Sequence, residues 1–307
     1  MRRLRPASAL VAAGLLSVAP AALALAWLPP GAGLWVGRRL GDLLWLALPG
    51  RRRIALRNLA SALGAERSPA EQRRIARGSF QHFGMTLVEV CGLLLRPPEA
   101  MLSRVSLDGL QHLKAAAAEG RGVLALAAHY GNWELLAAAC RLAPAELSVV
   151  VRPMDDPVLD RVVTMARRRT GALGIAKRRA LPDILAALRA QRVVAILLDQ
   201  NATRAQGVFV PFFGRPASTV RSLAVIALRT GAPVLPIFIR REAGGRHLVE
   251  VLPAVTPPAD RSVVAYTAAF TRQIEEAVRR APEQWFWLHD RWRTRPSDER
   301  REARGAP

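Results

Sequence analysis

The chain is poor in the residues that mark the common metal and redox chemistries. Among 307 residues there are two cysteines, Cys91 and Cys140. Both lie in apolar stretches and read as buried free thiols of a reducing compartment, not as a disulfide framework. No CxxC pair and no HExxH run occurs, so no metal site or other cofactor is expected. A GxSxG elbow is missing too, which removes the commonest serine nucleophile of α/β enzymes. Lysine is almost absent: Lys114 and Lys177 stand alone among 45 basic residues, and arginine carries the formal charge of +21. The chain lacks helix-turn-helix, zinc-finger and aromatic–basic sheet signatures, so this charge does not point to nucleic acid. It favours anionic lipid headgroups or an acidic carrier protein instead. Internal repeats are absent as well.

What is present begins with an anchor. Arg2, Arg3 and Arg5 precede an uncharged run from Ala7 to Leu28, long enough to span a bilayer. Pro20 would kink it, and Pro29-Pro30 end it. A cleaved secretory signal is the competing reading, with Ala24-x-Ala26 as its cleavage site. The basic, amphipathic stretch that follows favours an uncleaved anchor. Arg38, Arg39, Arg51, Arg52, Arg53 and Arg57 lie on its C-terminal side, which predicts a cytoplasmic main domain. Residues 1–30 are thus assigned to a membrane anchor and 31–100 to a helical, membrane-proximal region. Within that region, 34–50 reads as an amphipathic helix carrying Trp35 and Trp45, suited to the membrane interface or to a core. Ser68-Pro69-Ala70-Glu71 is a capping box opening a helix that Pro97-Pro98 stop.

Beyond residue 100, short apolar runs alternate with helical stretches. Strands are predicted over 105–107, 122–128, 147–152, 193–198, 208–210, 234–239 and 247–252. Helices are predicted over 109–118, 132–143, 156–170, 180–190, 218–230 and 261–281. This alternation predicts an α/β domain over 101–295, with a mixed, largely parallel sheet flanked by helices. A polar tail occupies 296–307.

One stretch organises this domain. Val123 to Ala128 reads as a buried strand, and His129 stands at its carboxyl end, where open α/β sheets place ligands. Gly131 permits a tight turn, Asn132 is a suitable helix N-cap, and Glu134 falls in the first turn of the next helix. A carboxylate five positions after the histidine suggests a His129–Glu134 dyad for general-base catalysis. The plainer alternative is a loop histidine followed by a helix-capping acid.

His129-Tyr130-Gly131-Asn132-Trp133-Glu134 resembles the histidine–four residues–acid motif of glycerolipid acyltransferases. The likeness is nearest to the bacterial lipid A late acyltransferases, which favour AH-x-GNWE after an apolar strand. Further segments are similar to the same family: Arg57-Asn58-Leu59-Ala60-Ser61-Ala62-Leu63; Val151-Arg152-Pro153 and the residues to Asp160; Leu198-Asp199-Gln200; Gly207 to Gly214; and Pro282 to Trp292. Order and spacing match from about residue 50 to 296. Asp290, where the family commonly has a basic residue, and Gln200-Asn201-Ala202-Thr203 after Asp199 depart from the pattern.

The resemblance implies an acyltransferase-like fold behind a membrane anchor at the cytoplasmic side of the cell inner membrane. It implies transfer of a fatty acyl chain from acyl carrier protein to a hydroxyl of a lipid A precursor, without metal or nucleotide. His129 would be the base and Glu134 its orienting partner. Arg152, Asp199, Asn132 and Gly131 form the expected substrate-binding set. Arg152 would hold a phosphate or phosphopantetheine, Asp199 a sugar hydroxyl or Arg152 itself, and backbone donors near Gly131 or a basic side chain the oxyanion. A structural ion pair is the alternative for Arg152 and Asp199. His289, among three tryptophans, reads as a packed, hydrogen-bonded histidine, and Arg215 and Arg221 as flanks of a Ser218-Thr219 turn that could bind anions. The alternative activity is acylation of another membrane lipid, a phosphoinositide mannoside or lysophospholipid, from acyl-CoA. The non-enzymatic alternative is a lipid-binding membrane scaffold.

Overall fold

The computed structural model describes residues 20–143, 146–151, 157–169, 171, 173–176 and 180–297. The first part of the expected anchor, Arg152 and most of the polar tail therefore lie outside the described residues. A helical run over 20–26 (α1) leads into α2 (Pro30–Ala47), α3 (Pro49–Leu63), α4 (Pro69–Leu95) and α5 (Pro98–Leu102). Each of the last four begins on proline, whose fixed φ and missing N–H suit the first helical turn. Ser68 and Glu71 form the expected capping box on α4. No helix among the described residues is long and apolar enough to cross a membrane.

The α/β domain follows: β1 (Val105–Asp108), α6 (Leu110–Ala118), β2 (Val123–Ala127), α7 (Trp133–Ala139), β3 (Leu147–Val151), α8 (Pro157–Arg169), β4 (Leu173–Ala176), α9 (Ala180–Arg189) and β5 (Val193–Leu197). Then come the hairpin β6 (Gly207–Phe212) and β7 (Arg215–Val220), α10 (Ser222–Thr230), β8 (Val234–Arg241), β9 (His247–Val251) and α11 (Val263–Arg280). The main sheet has seven strands in the order β1-β9-β8-β2-β5-β3-β4. Every pairing in it is parallel except β8 with β9. This is the predicted mixed, largely parallel sheet with helices on both faces.

β2 is the central strand and is buried along its whole length. Its side chains alternate between two cores, as a pleated strand requires. Leu124 and Leu126 join the core formed with α11 (Tyr266, Phe270, Ile274) and the C-terminal tryptophans. Val123, Ala125 and Ala127 join Leu135 and Leu136 of α7 and Val90 and Leu93 of α4. The continuous apolar run that marked β2 in the sequence thus reflects burial on both faces.

Two elements differ from expectation. β4 is short and lies at the sheet edge, and its Leu173 is largely exposed, so no apolar run betrays it. Ser218 and Thr219, expected to open a helix, belong to strand β7. The hairpin turns on Phe213 and Gly214, both with positive φ, in the two-residue form that matches strand twist. Arg291, fully buried, donates to the Ser218 carbonyl (2.6 Å) and to the Thr219 hydroxyl, fastening the hairpin to the C-terminal segment. Arg215 donates to Ser61 at 2.8 Å. The expected Ser218-Thr219 anion turn is therefore a tertiary joint.

The amphipathic 34–50 region corresponds to α2 and the start of α3. Trp45 is buried against Phe80, whereas Trp35 is 60% exposed. One face of α2 carries Gly33, Gly37 and Gly41, all buried against α4. A Cβ on Gly84 of α4 would land on the carbonyl oxygen of Gly37, so the two helix backbones touch. Gly84→Ala should force these helices apart and destabilise the protein by about 1–3 kcal/mol, the usual range for overpacking. Gly31→Ala, with nothing within 4 Å of the new methyl, should be neutral or slightly stabilising. Thermal melts of the two detergent-purified variants check this; equal melting temperatures would refute the close-contact account.

Candidate active site

The site is built at the carboxyl edge of β2 and β5. These strands pair in parallel with Ala127 opposite Leu197. Carrying the same offset two residues on sets His129 opposite Asp199. The His129 ring meets Asp199 through Nδ1–Oδ1 at 2.8 Å, and the His129 backbone N–H donates to Asp199 Oδ2 at 2.9 Å. Trp285 Nε1 donates to the same Oδ2 at 2.8 Å. The Asp199 side chain is 2% exposed and the His129 side chain 21%. Burial by itself would raise the Asp199 carboxyl, but the charge of His129, its two hydrogen bonds and the indole N–H hold it down at about 2. Asp199 is thus an ionised, acceptor-only group, and Nδ1 of His129 must carry the proton. Nε2 is left as the acceptor, and Gln200 Nε2 lies 3.2 Å from it.

This corrects the expected dyad. Glu134 takes a bidentate ion pair from Arg167 of α8, at 2.8 and 2.6 Å. Asn132 caps α7 by accepting from Leu135 N at 3.0 Å. The histidine's carboxylate therefore comes from the neighbouring strand, 70 residues away in sequence.

The expected binding set changes with it. Asp199 spends both oxygens on His129 and Trp285 and is not open to a sugar hydroxyl. Asn132 is fully buried, with its side-chain amide donating to Glu89 Oε2 at 2.6 Å. Gly131 has φ of 60°, and any Cβ there would strike the Ile239 carbonyl. Its N–H donates to the Gln284 carbonyl at 3.0 Å, so it is occupied and does not face an oxyanion. His289 is packed and hydrogen-bonded as expected, its Nε2 accepting from Asn201 N at 3.0 Å. Asp290, where the family resemblance breaks, pairs with Arg57 at 2.7 Å.

A second carboxylate holds the turn from the opposite side. Glu89 of α4 accepts from Asn132, from Arg241 and from His247 Nε2 (3.1 Å). Burial would raise it, but Arg241 and His247 hold it at about 2. Arg241 N donates to Gln284 Oε1, and the Gln284 side-chain amide returns a bond to the Arg241 carbonyl. Phe286 N donates to the His129 carbonyl at 3.0 Å. Gln284 lies in the family-like segment Pro282 to Trp292 but was given no role there, and Glu89 carried no motif signal; a lone glutamate in an apolar helix face is the one sign that Glu89 needed a buried partner.

Around the open side of His129 stand aromatic rings. Trp133 and Phe286 lie 5.2 and 6.3 Å from the imidazole, and Phe83 packs on Phe286 at 5.2 Å. They make an apolar wall beside the imidazole, suited to an apolar substrate chain. No thiol competes as nucleophile, since burial pushes Cys140 up to about 12 and raises Cys91 as well. Among the described residues no cluster of three or more His, Cys, Asp or Glu is placed to hold a metal.

Comparison with known proteins bears on this site. The family model for bacterial lipid A biosynthesis acyltransferases matches residues 5–294. The lipid A biosynthesis lauroyltransferase of Escherichia coli is 30% identical over 266 residues, 85% of each chain. The lipid A biosynthesis palmitoleoyltransferase of Escherichia coli is 28% identical over 268 residues, 86% of each chain. A phosphatidylinositol mannoside acyltransferase of Mycobacterium tuberculosis is 28% identical over 252 residues, 80% of this chain and 78% of that one.

Two half-buried histidines set a pH dependence of stability. Desolvation lowers His82 to about 3 and His289 to about 4, against an ordinary value near 6.5. The unfolded chain then binds more protons than the folded one below about pH 6.5, so stability falls as pH falls. The loss per histidine approaches about 1.4 kcal/mol per pH unit between its unfolded and folded values. Melting temperature should drop steadily from pH 7 to pH 4, and His289→Gln should flatten that slope. An unchanged slope would show that His289 protonates freely in the folded state.

Proposed function

Since the chain belongs to the bacterial lipid A biosynthesis acyltransferase family, we propose that it moves a fatty acyl chain from an acyl carrier protein thioester to a hydroxyl of a lipid A precursor. The observation that carries this reading is His129, fixed by an ionised Asp199 with Nε2 presented beside an aromatic wall. The substrate hydroxyl displaces Gln200 and donates to Nε2. As its oxygen attacks the thioester carbonyl, His129 takes the proton, and Asp199 stabilises the imidazolium. The tetrahedral intermediate then collapses. The C–S bond breaks, the thiolate takes the proton from His129, and an ester and a free thiol leave. Direct attack requires no covalent enzyme intermediate. Glu134 acts one step away by locking Arg167 and so joining α8 to the start of α7.

The proposed setting is the cytoplasmic face of the inner membrane. Trp27, Trp35, Leu43 and Leu46 are more than half exposed, and Arg38 and Arg39 are on the same helix as the last three. Apolar side chains beside arginines suit an anionic bilayer surface. The likeness to a phosphatidylinositol mannoside acyltransferase keeps acylation of another membrane glycolipid as a second reading.

Thioester-release assays test the mechanism. His129→Ala should lose about a hundred- to ten-thousand-fold in kcat, the range of a general base. Asp199→Asn should lose comparably, because an asparagine amide donates to Nδ1 and favours the wrong tautomer. Glu134→Gln should lose less. If Glu134→Gln proved worse than Asp199→Asn in folded protein, the histidine would be oriented by Glu134 after all. The donor is tested separately. With a formal charge of +21, encounter with an acidic carrier protein should be steered. Its apparent KM should rise with salt while kcat changes little; salt-independent use of acyl-CoA at equal or better efficiency would favour the other donor.

A further inference from the structure

The N-terminal helices carry a second basic feature that the proposed chemistry leaves unused. Between α2 and the first half of α4 lies a cleft of about 480 Å³. It is lined by Arg39, Asp42, Arg73, Arg74, Arg77 and Gln81, four guanidinium groups against a single carboxylate. Asp42 does not cancel this charge; it organises it. Asp42 accepts from Arg77 and Gln81, each at 2.8 Å, and from Arg39 at 3.3 Å. Two arginines are thereby set at the rim in fixed orientation. Arg73 leans on the Trp45 ring at 5.7 Å and makes no hydrogen bond or ion pair among the described residues. Arg74 is exposed, with no hydrogen bond, ion pair or ring contact among the described residues. Exposed guanidinium groups gathered in one cleft, two of them without a hydrogen-bond or ion-pair partner among the described residues, suit a multivalent oxyanion, and phosphate meets the fork geometry bidentately.

The surroundings select the kind of phosphate. On the solvent face of α2, opposite its glycine stripe, Trp35, Leu43 and Leu46 are 60%, 60% and 68% exposed. Arg39 lies on the same face, over the Trp35 ring at 5.7 Å. A face of this kind sits in a lipid surface with its arginines at headgroup depth. The cleft also lies along the helix that flanks the catalytic histidine. Arg77 is six residues from Phe83, about 9 Å along the axis, and Phe83 packs on Phe286 beside His129.

We propose that the arginine cleft between α2 and α4 binds a phosphate on the headgroup of the acceptor lipid, holding that headgroup while its hydroxyl lies at His129. This rests on the reading of the chain as a glycolipid acyltransferase. It adds a second anchor for the acceptor, distant from the reacting atoms. Binding energy gained there orients the headgroup without touching the chemistry, so it acts on acceptor affinity.

The test is steady-state kinetics of the full chain in mixed micelles. The probes are a phosphorylated glucosamine-disaccharide lipid and its phosphatase-treated form, with one acyl thioester donor. Arg74→Gln, which breaks no contact, is the first variant, and Arg73→Gln with Arg74→Gln the second. The double variant should raise the apparent KM for the phosphorylated lipid about tenfold or more, as expected for lost charge-assisted hydrogen bonds. Its kcat should stay within about twofold, since no group at the reacting centre changes. Removing the phosphate should impose a similar penalty on the wild type and none further on the variants. Equal penalties on both lipids would overturn the proposal. So would a rise in carrier-protein KM alone, which would make the cleft a donor-docking surface. Lost sedimentation with anionic phospholipid vesicles at unchanged acceptor KM would assign the cleft to bilayer phosphate instead. If the wild type acylated neither lipid, the acyl-transfer reading would fall. The cleft would then still be judged by equilibrium binding of the two lipids, where equal affinity refutes it.

Discussion

The structure of the site depends on one buried carboxylate. Asp199 sits at the end of β5 with almost no solvent contact, where a bare negative charge is strongly disfavoured. It is tolerated because three donors converge on it: the His129 ring, the His129 backbone N–H and the Trp285 indole. Those donors come from two other parts of the chain. The same charge that sets the histidine tautomer therefore also fastens the C-terminal segment over the site. Removing a partner from such a group typically destabilises by about 3–5 kcal/mol, so function and local stability are tied together here.

A second carboxylate repeats this logic on the other side of the turn. Glu89 reaches from the helical layer to Asn132, and Arg241 and His247 keep it ionised. His129 and Asn132 are thus gripped from opposite directions, and Gly131 between them takes the positive φ that only glycine adopts freely at such close approach. The N-terminal helices are consequently part of the site. α4 supplies Glu89 and Phe83, and α2 is pressed on α4 by backbone contact at Gly37, Gly41 and Gly84. A shift of α2 would be felt at the histidine through α4.

On the proposed reading, this arrangement reconciles two demands of acyl transfer to a membrane lipid. That reading needs a rigid base in an apolar wall, and a basic, partly apolar surface for the substrate to approach. β2 and its turn meet the first demand from the centre of the sheet. The helical layer, with its exposed tryptophans and leucines among arginines, meets the second.

The amino-acid sequence by itself determined the layered α/β plan, because alternating apolar runs and capped helices are local signals. It made legible the strand, turn and N-cap that place His129 just after β2, since a buried strand ending in histidine, glycine and an N-cap is read within a dozen residues. It also determined the glycine at 131 and the capping box of α4, which are choices of backbone conformation. The partner of the histidine lay beyond its reach. Two acids were available, and Glu134 was the nearer in sequence. Only strand pairing decided for Asp199, because the parallel register of β2 and β5 brings residues 70 positions apart face to face. Tertiary structure alone likewise turned Glu134 toward Arg167, Asn132 toward Glu89, and Ser218-Thr219 into a strand held by Arg291. Local propensity fixes which backbone a segment adopts. The partner of a polar side chain is fixed by burial, where each ionised group must find its counterpart among whatever the fold brings near.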